Sequence, residues 1–69
     1  MAQVHLREDV VWKGDVHAGI VERVEGEILA GADLLVLQAG KPVGLARAIA
    51  PGWEWSGTPG RLAKAHQRL

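Results

Sequence analysis

The chain contains no cysteine, no phenylalanine and no tyrosine. Without cysteine, disulfide staples, thiolate metal sites and thiol nucleophiles are excluded together. A secreted domain this small usually depends on such staples, so an intracellular or virion setting is expected. Without phenylalanine or tyrosine, three tryptophans supply all the aromatic volume. Side-chain hydroxyls are as scarce: Ser56 and Thr58 are the whole supply. Neither has a histidine–acid pair nearby in the chain, so nucleophilic catalysis has no footing. Long apolar runs are missing too. The densest, Leu34 to Leu37, falls far short of the roughly 20 residues that cross a bilayer. Met1 to Val10 lacks the apolar centre of a signal peptide. No membrane partner is expected.

What is present fits one small domain. The 69 residues are 48% hydrophobic, which argues against disorder throughout but leaves a core of marginal size. Net charge is zero, yet it is unevenly spread. Residues 1–40 carry three basic side chains against seven acidic ones, a balance of −4. Residues 41–69 carry five basic side chains against Glu54 alone, a balance of +4. Such polarity suits head-to-tail packing of copies, or a basic segment seeking an acidic partner.

Two β-rich runs open the chain, Val4 to Trp12 and Val16 to Val24, separated by the turn signal Lys13-Gly14-Asp15. They read as a hairpin with Gly19 as a bulge. The central stretch from Glu25 to Ala39 supports two readings. As a helix it starts on Glu25 and Glu27, which complement the N-terminal dipole. It then aligns Ile28, Ala32, Leu35 and Ala39 and stops at Gly40-Lys41-Pro42. Gly26 and Gly31 oppose it, each costing roughly 1 kcal/mol in a helix interior. As a strand, Leu34 to Gln38 pairs with Val43 to Ile49 across a turn. The Gly-then-Pro stop favours the helix. Val43 to Ile49 is a strand in either case, with Gly44, Ala46 and Ala48 forming a small face that invites close approach.

From Ala50 glycine and proline break regular structure. Thr58 then offers an N-cap and Pro59 a first helical position. Behind them Leu62, Ala65, His66 and Leu69 line one side of a short helix, with Arg61, Lys64 and Arg68 on another. The expected architecture is therefore α+β: a small three-stranded antiparallel sheet with one central helix over residues 1–50. Residues 51–69 form an arm ending in a basic amphipathic helix. The alternative is an all-β small barrel of SH3-like or PUA-like form.

Candidate chemistry is sparse. His5, His17 and His66 are scattered and lack zinc-ligand spacing, so no metal site is assigned. Gly14, Gly19 and Gly26 are spaced as turn glycines and form no phosphate cradle. No catalytic residue and no cofactor follow, and an enzyme is not expected. Trp53 and Trp55 are the salient local feature. With Leu62 and Leu69 they are candidate anchors into a protein partner, since tryptophan is a favoured hot-spot residue. Arg47, Arg61, Lys64 and Arg68 are candidate phosphate contacts for nucleic acid.

Two resemblances attach to these runs. Val4-His5-Leu6-Arg7-Glu8-Asp9-Val10, Gly19-Ile20-Val21-Glu22-Arg23-Val24 and the closing Gly40-Lys41-Pro42-Val43 resemble small proteins of the head gene clusters of tailed phages and prophages. That likeness spans about residues 4–49. It implies a non-enzymatic assembly role, as a capsid decoration or head-completion subunit binding other protein subunits or copies of itself. Leu34-Leu35-Val36-Leu37-Gln38 followed by Gly40-Lys41-Pro42-Val43-Gly44-Leu45-Ala46 looks like the closing strands of PUA-type RNA-binding barrels. That likeness implies an all-β module for structured RNA. The assembly role is the first expectation and nucleic-acid binding the second.

Overall fold

The computed structural model describes residues 1–56 and 60–69. Six strands form one mixed sheet: β1 (Ala2–Leu6), β2 (Asp15–His17), β3 (Val21–Glu25), β4 (Asp33–Gln38), β5 (Lys41–Ala48) and β6 (Arg61–Arg68). Their order across the sheet is β2-β6-β5-β4-β1-β3. All neighbours are antiparallel except β1 and β4. Among the described residues there is no α-helix, only the single 3₁₀ turns Ala18–Ile20 and Gly52–Glu54.

The expected α+β architecture is thereby overturned in favour of the all-β alternative. The central stretch is not a helix, because Leu34 to Gln38 pairs on both sides, with β1 and with β5. The turn after it is the two-residue link Ala39-Gly40, both with positive φ (53° and 76°). That is the mirror-image hairpin geometry whose twist matches its flanking strands. The left-handed glycine that signalled a helix end is real, but it serves a hairpin. The basic helix over 61–69 is likewise replaced, since those residues form a strand between β5 and β2. They are no arm. Thr58 and Pro59, read as the start of that helix, lie outside the described residues.

The sheet is a curled half-barrel, and the chain's connectivity requires the curl. β2 and β3 are the two edges, yet only the turn Ala18–Ile20 separates them in sequence. Laid flat, six strands would place those edges about 24 Å apart at roughly 4.8 Å per strand. Three residues reach only about 10 Å. Register irregularities supply the bending, occurring in every strand pair but the parallel one. The overall extents of 24 × 21 × 19 Å fit a curled sheet.

The inner face is built from alternate residues, Val4 and Leu6 of β1, Leu34 and Val36 of β4, and Ala46 and Ala48 of β5, joined by the consecutive Leu62 and Ala63 of β6, where a bulge breaks the alternation. Such a sheet is open at both ends, and the tryptophans close it. Trp12, from the loop before β2, lies against Gly44, where a Cβ would come within 2.6 Å of its ring and of the Gln67 carbonyl. Arg68 stacks over the outside of that ring, 5.6 Å from its centroid. The loop carrying Trp12 is stapled by Gln38, whose side-chain amide donates to the Arg7 and Val10 carbonyls at 2.8 and 2.7 Å. At the other end of β5, Trp55 enters the core and its indole N–H donates to the Ala50 carbonyl at 2.8 Å. Ile28 fills the space beside it, against Gly52.

Two substitutions test this account. Gly44→Ala forces a methyl into the Trp12 ring and should cost about 3 kcal/mol, the upper end for overpacking, read by urea denaturation. Ala39→Asn relieves a left-handed backbone that alanine tolerates poorly and should stabilise by about 1 kcal/mol. That corresponds to a Tm increase of roughly 4–8 °C for a domain this size.

Candidate functional site

The outer face of β5 and β6 gathers the basic residues. Strand pairing sets Arg47 directly opposite Lys64. Lys64 in turn stands opposite Asp15, and Arg47 opposite Asp33. The row Asp15–Lys64–Arg47–Asp33 therefore crosses four adjacent strands. Arg47 Nε lies 3.4 Å from Asp33 Oδ1, and Arg61 Nε lies 3.8 Å from Asp15 Oδ2. The aspartates thus orient guanidinium groups at both flanks. Between them two cations sit side by side, as cross-strand neighbours within about 5.5 Å at Cβ. Lys64 has no carboxylate within ion-pair distance among the described residues. Along β6 the exposed cations Arg61, Lys64 and Arg68, with His66, extend over about 23 Å at roughly 3.3 Å per residue. No acidic side chain lies on that strand.

The four sequence-derived phosphate-contact candidates are thus brought onto two neighbouring strands, all exposed. Arg68 is set apart, turned over Trp12 at one end. The four protein-anchor candidates are not brought together. Trp55 and Leu62 are 6% and 0% exposed and belong to the core, so neither is free to anchor a partner. Trp53 and Leu69 are 79% and 70% exposed. The pairing of Trp53 with Trp55 on one side, expected of an extended segment, fails because the 3₁₀ turn Gly52–Glu54 sends them opposite ways.

The opposite flank is acidic. Glu22 and Glu25 lie on β3, Glu27 follows it, and Glu54 lies in the turn beside Trp53. Arg23, with His5 at 3.3 Å, contacts the Glu25 carboxylate. These contacts hold that carboxyl below its ordinary range, Arg23 contributing most. The Arg7 guanidinium does the same to Asp9 through two hydrogen bonds of 3.2 and 3.0 Å. His17 donates from Nδ1 to the Gly60 carbonyl at 3.2 Å. His5 and His17 fall on non-adjacent strands. Among the described residues no three histidine, aspartate or glutamate side chains cluster as metal ligands, and no helix is long and apolar enough to cross a membrane.

Sequence reasoning missed the Arg47–Lys64 juxtaposition. Seventeen positions separate the two residues, and nothing local signals their register. No family model, no curated protein and no solved structure matches this chain.

The charge contacts on β3 are directly testable. Glu25 should titrate below the usual glutamate range by carboxyl NMR, and Arg23→Ala should return it most of the way. Because the folded value is depressed, the associated stability is present above the ordinary glutamate range. It is lost as the pH falls through the folded value. Arg23→Ala should flatten that acid limb.

Proposed function

We propose that this chain is a small β-barrel-like module that binds nucleic acid, with RNA as the preferred form, through the outer face of β5 and β6. The observation that carries the reading is the side-by-side placement of Arg47 and Lys64. Like charges directly opposite across strands are unfavourable in the free protein. A bridging phosphate converts that repulsion into two charge-assisted hydrogen bonds. Arg61, further along β6 on the same face, extends the contact to a neighbouring phosphate, while Arg68 is held over Trp12 at the end of the strand. Backbone contacts of this kind position the ligand and do not by themselves read its sequence.

Two further points support the choice over an assembly subunit. The all-β architecture agrees with the PUA-type likeness of residues 34–46, the likeness that implies RNA. The anchor set expected for a tail-docked subunit loses Trp55 and Leu62 to the core. Of the acidic residues, Glu22, Glu25 and Glu27 lie on or just after β3, whereas Asp15 and Asp33 flank the β5–β6 cations and orient Arg61 and Arg47.

The test is fluorescence anisotropy with single-stranded and hairpin RNA at low and moderate salt, using the wild type and the double variant Arg47→Gln/Lys64→Gln. Wild-type affinity should fall steeply with salt. The double variant should bind more weakly with a salt slope lower by about 1, for the one bridged phosphate that is lost. Its folding stability should be nearly unchanged, since removal of the like-charge pair is offset by loss of the exposed Arg47–Asp33 contact. Absence of low-salt binding, or binding indifferent to the double substitution, sinks the reading.

A further inference from the structure

A second surface lies along the free edge of β3. Among the described residues β3 pairs only with β1. Its outer row of backbone N–H and C=O groups is open, the usual template for an added strand. Beside that edge run two contiguous hollows, of about 480 and 360 Å³. The first lies between Val21, Val24 and the segment around Trp55. The second lies between Val24, Ile28 and Trp53, and Gly52 floors both. Val21 and Val24 stand opposite Leu6 and Val4, so they point to the hollow side, while Arg23 and Glu25 point outward. Trp53 borders this groove and is 79% exposed. The rim carries Glu27 and Glu54, which have no basic partner within ion-pair distance among the described residues, and Glu22 and Glu25, which face Arg7 and the Arg23 and His5 side chains.

We infer that this edge groove receives an extended segment of another protein that adds to β3 as a new strand, with apolar and basic residues alternating along it. Backbone pairing supplies the affinity in this mode, and pockets for alternate side chains supply the selectivity. The apolar residues fall on the Val21/Val24 side, where Trp53 covers them as an aromatic anchor. The basic residues fall on the outer side, beside Glu22 and Glu25. A second copy of this chain is a poorer occupant. Antiparallel self-pairing about Arg23 sets Arg23 against Arg23 and brings the acidic rims of both copies together. The chain's own basic strand, β6, is already paired on both sides. This surface is separate from the β5–β6 face, and its test is independent of RNA binding.

The probe is a decapeptide alternating lysine with valine or threonine, compared with its lysine-to-glutamate counterpart. Each is titrated into the full chain by heteronuclear NMR and Trp fluorescence. The lysine peptide should shift the Val21–Glu25 amides and change Trp53 emission, binding about tenfold or more tighter than the glutamate peptide. Trp53→Ala should weaken it about tenfold, as loss of a hot-spot aromatic does. Trp53 is exposed, so the variant keeps its fold, and its RNA affinity should match wild type. Equal binding of the two peptides, perturbations centred on β5 and β6, or unchanged affinity in Trp53→Ala would each overturn the inference. So would no binding at millimolar peptide, or a dimer already paired through β3.

Discussion

The short link between β2 and β3 is the constraint on which the rest depends. One continuous stretch, Asp15 to Glu25, pairs with β6 at its start and with β1 at its finish. A sheet whose two edges are joined by so few residues has to bend back on itself. The bulges follow from that requirement, because each adds local twist where a regular ladder would stay too flat. So do the end plugs. A curled sheet of this size encloses a narrow space, and small residues at Gly44, Ala46 and Ala48 leave room for Trp12 at one end and Trp55 at the other.

The same curl divides the charges. β6 and β5 carry Arg47, Arg61 and Lys64 outward between Asp15 and Asp33, while β3 and the turns after it carry Glu22, Glu25 and Glu27. The imbalance between the two halves of the sequence thus becomes an imbalance between two flanks of the molecule. Charge of one sign on a face adds long-range attraction for the opposite sign, within about 10 Å at moderate salt. Neither flank disturbs the core, where no charged side chain is buried.

Legibility from sequence follows how local each signal is. The small face of β5 was readable because alternation of Gly44, Ala46 and Ala48 is a period-two pattern within one strand. The first hairpin was partly readable. Residues 2–6 and 21–25 do pair, but Val10 to Trp12 forms no strand, and residues 15–17 join β6 instead. Leu34 to Gln38 was misjudged because a left-handed Gly40 ends a helix as readily as it turns a hairpin. What decides the matter is pairing with β1, some 30 residues away. Arg61 to Leu69 misled for a different reason. Bulges at Leu62 and His66 shift the alternation. Leu62 and Ala65, read with His66 and Leu69 as a helical face, are the inward residues of a bulged strand, while His66 and Leu69 are exposed. The cation pair Arg47–Lys64 had no local signature at all, since it exists only through the β5–β6 register.

The interior position of β6 also sets the order in which the chain can fold. It is the last strand to be synthesised of the six, yet it lies between β5 and β2 and contributes Leu62 and Ala63 to the centre of the core. Until it pairs, β5 keeps an uncovered edge and β2 has no partner. The parallel contact of β1 with β4 likewise waits for a distant segment. Topologies dominated by such pairings fold in about milliseconds to seconds, because loop closure must precede the contacts that reward it. The nascent chain therefore has few stable resting points, and assembly of the half-barrel is close to all-or-none.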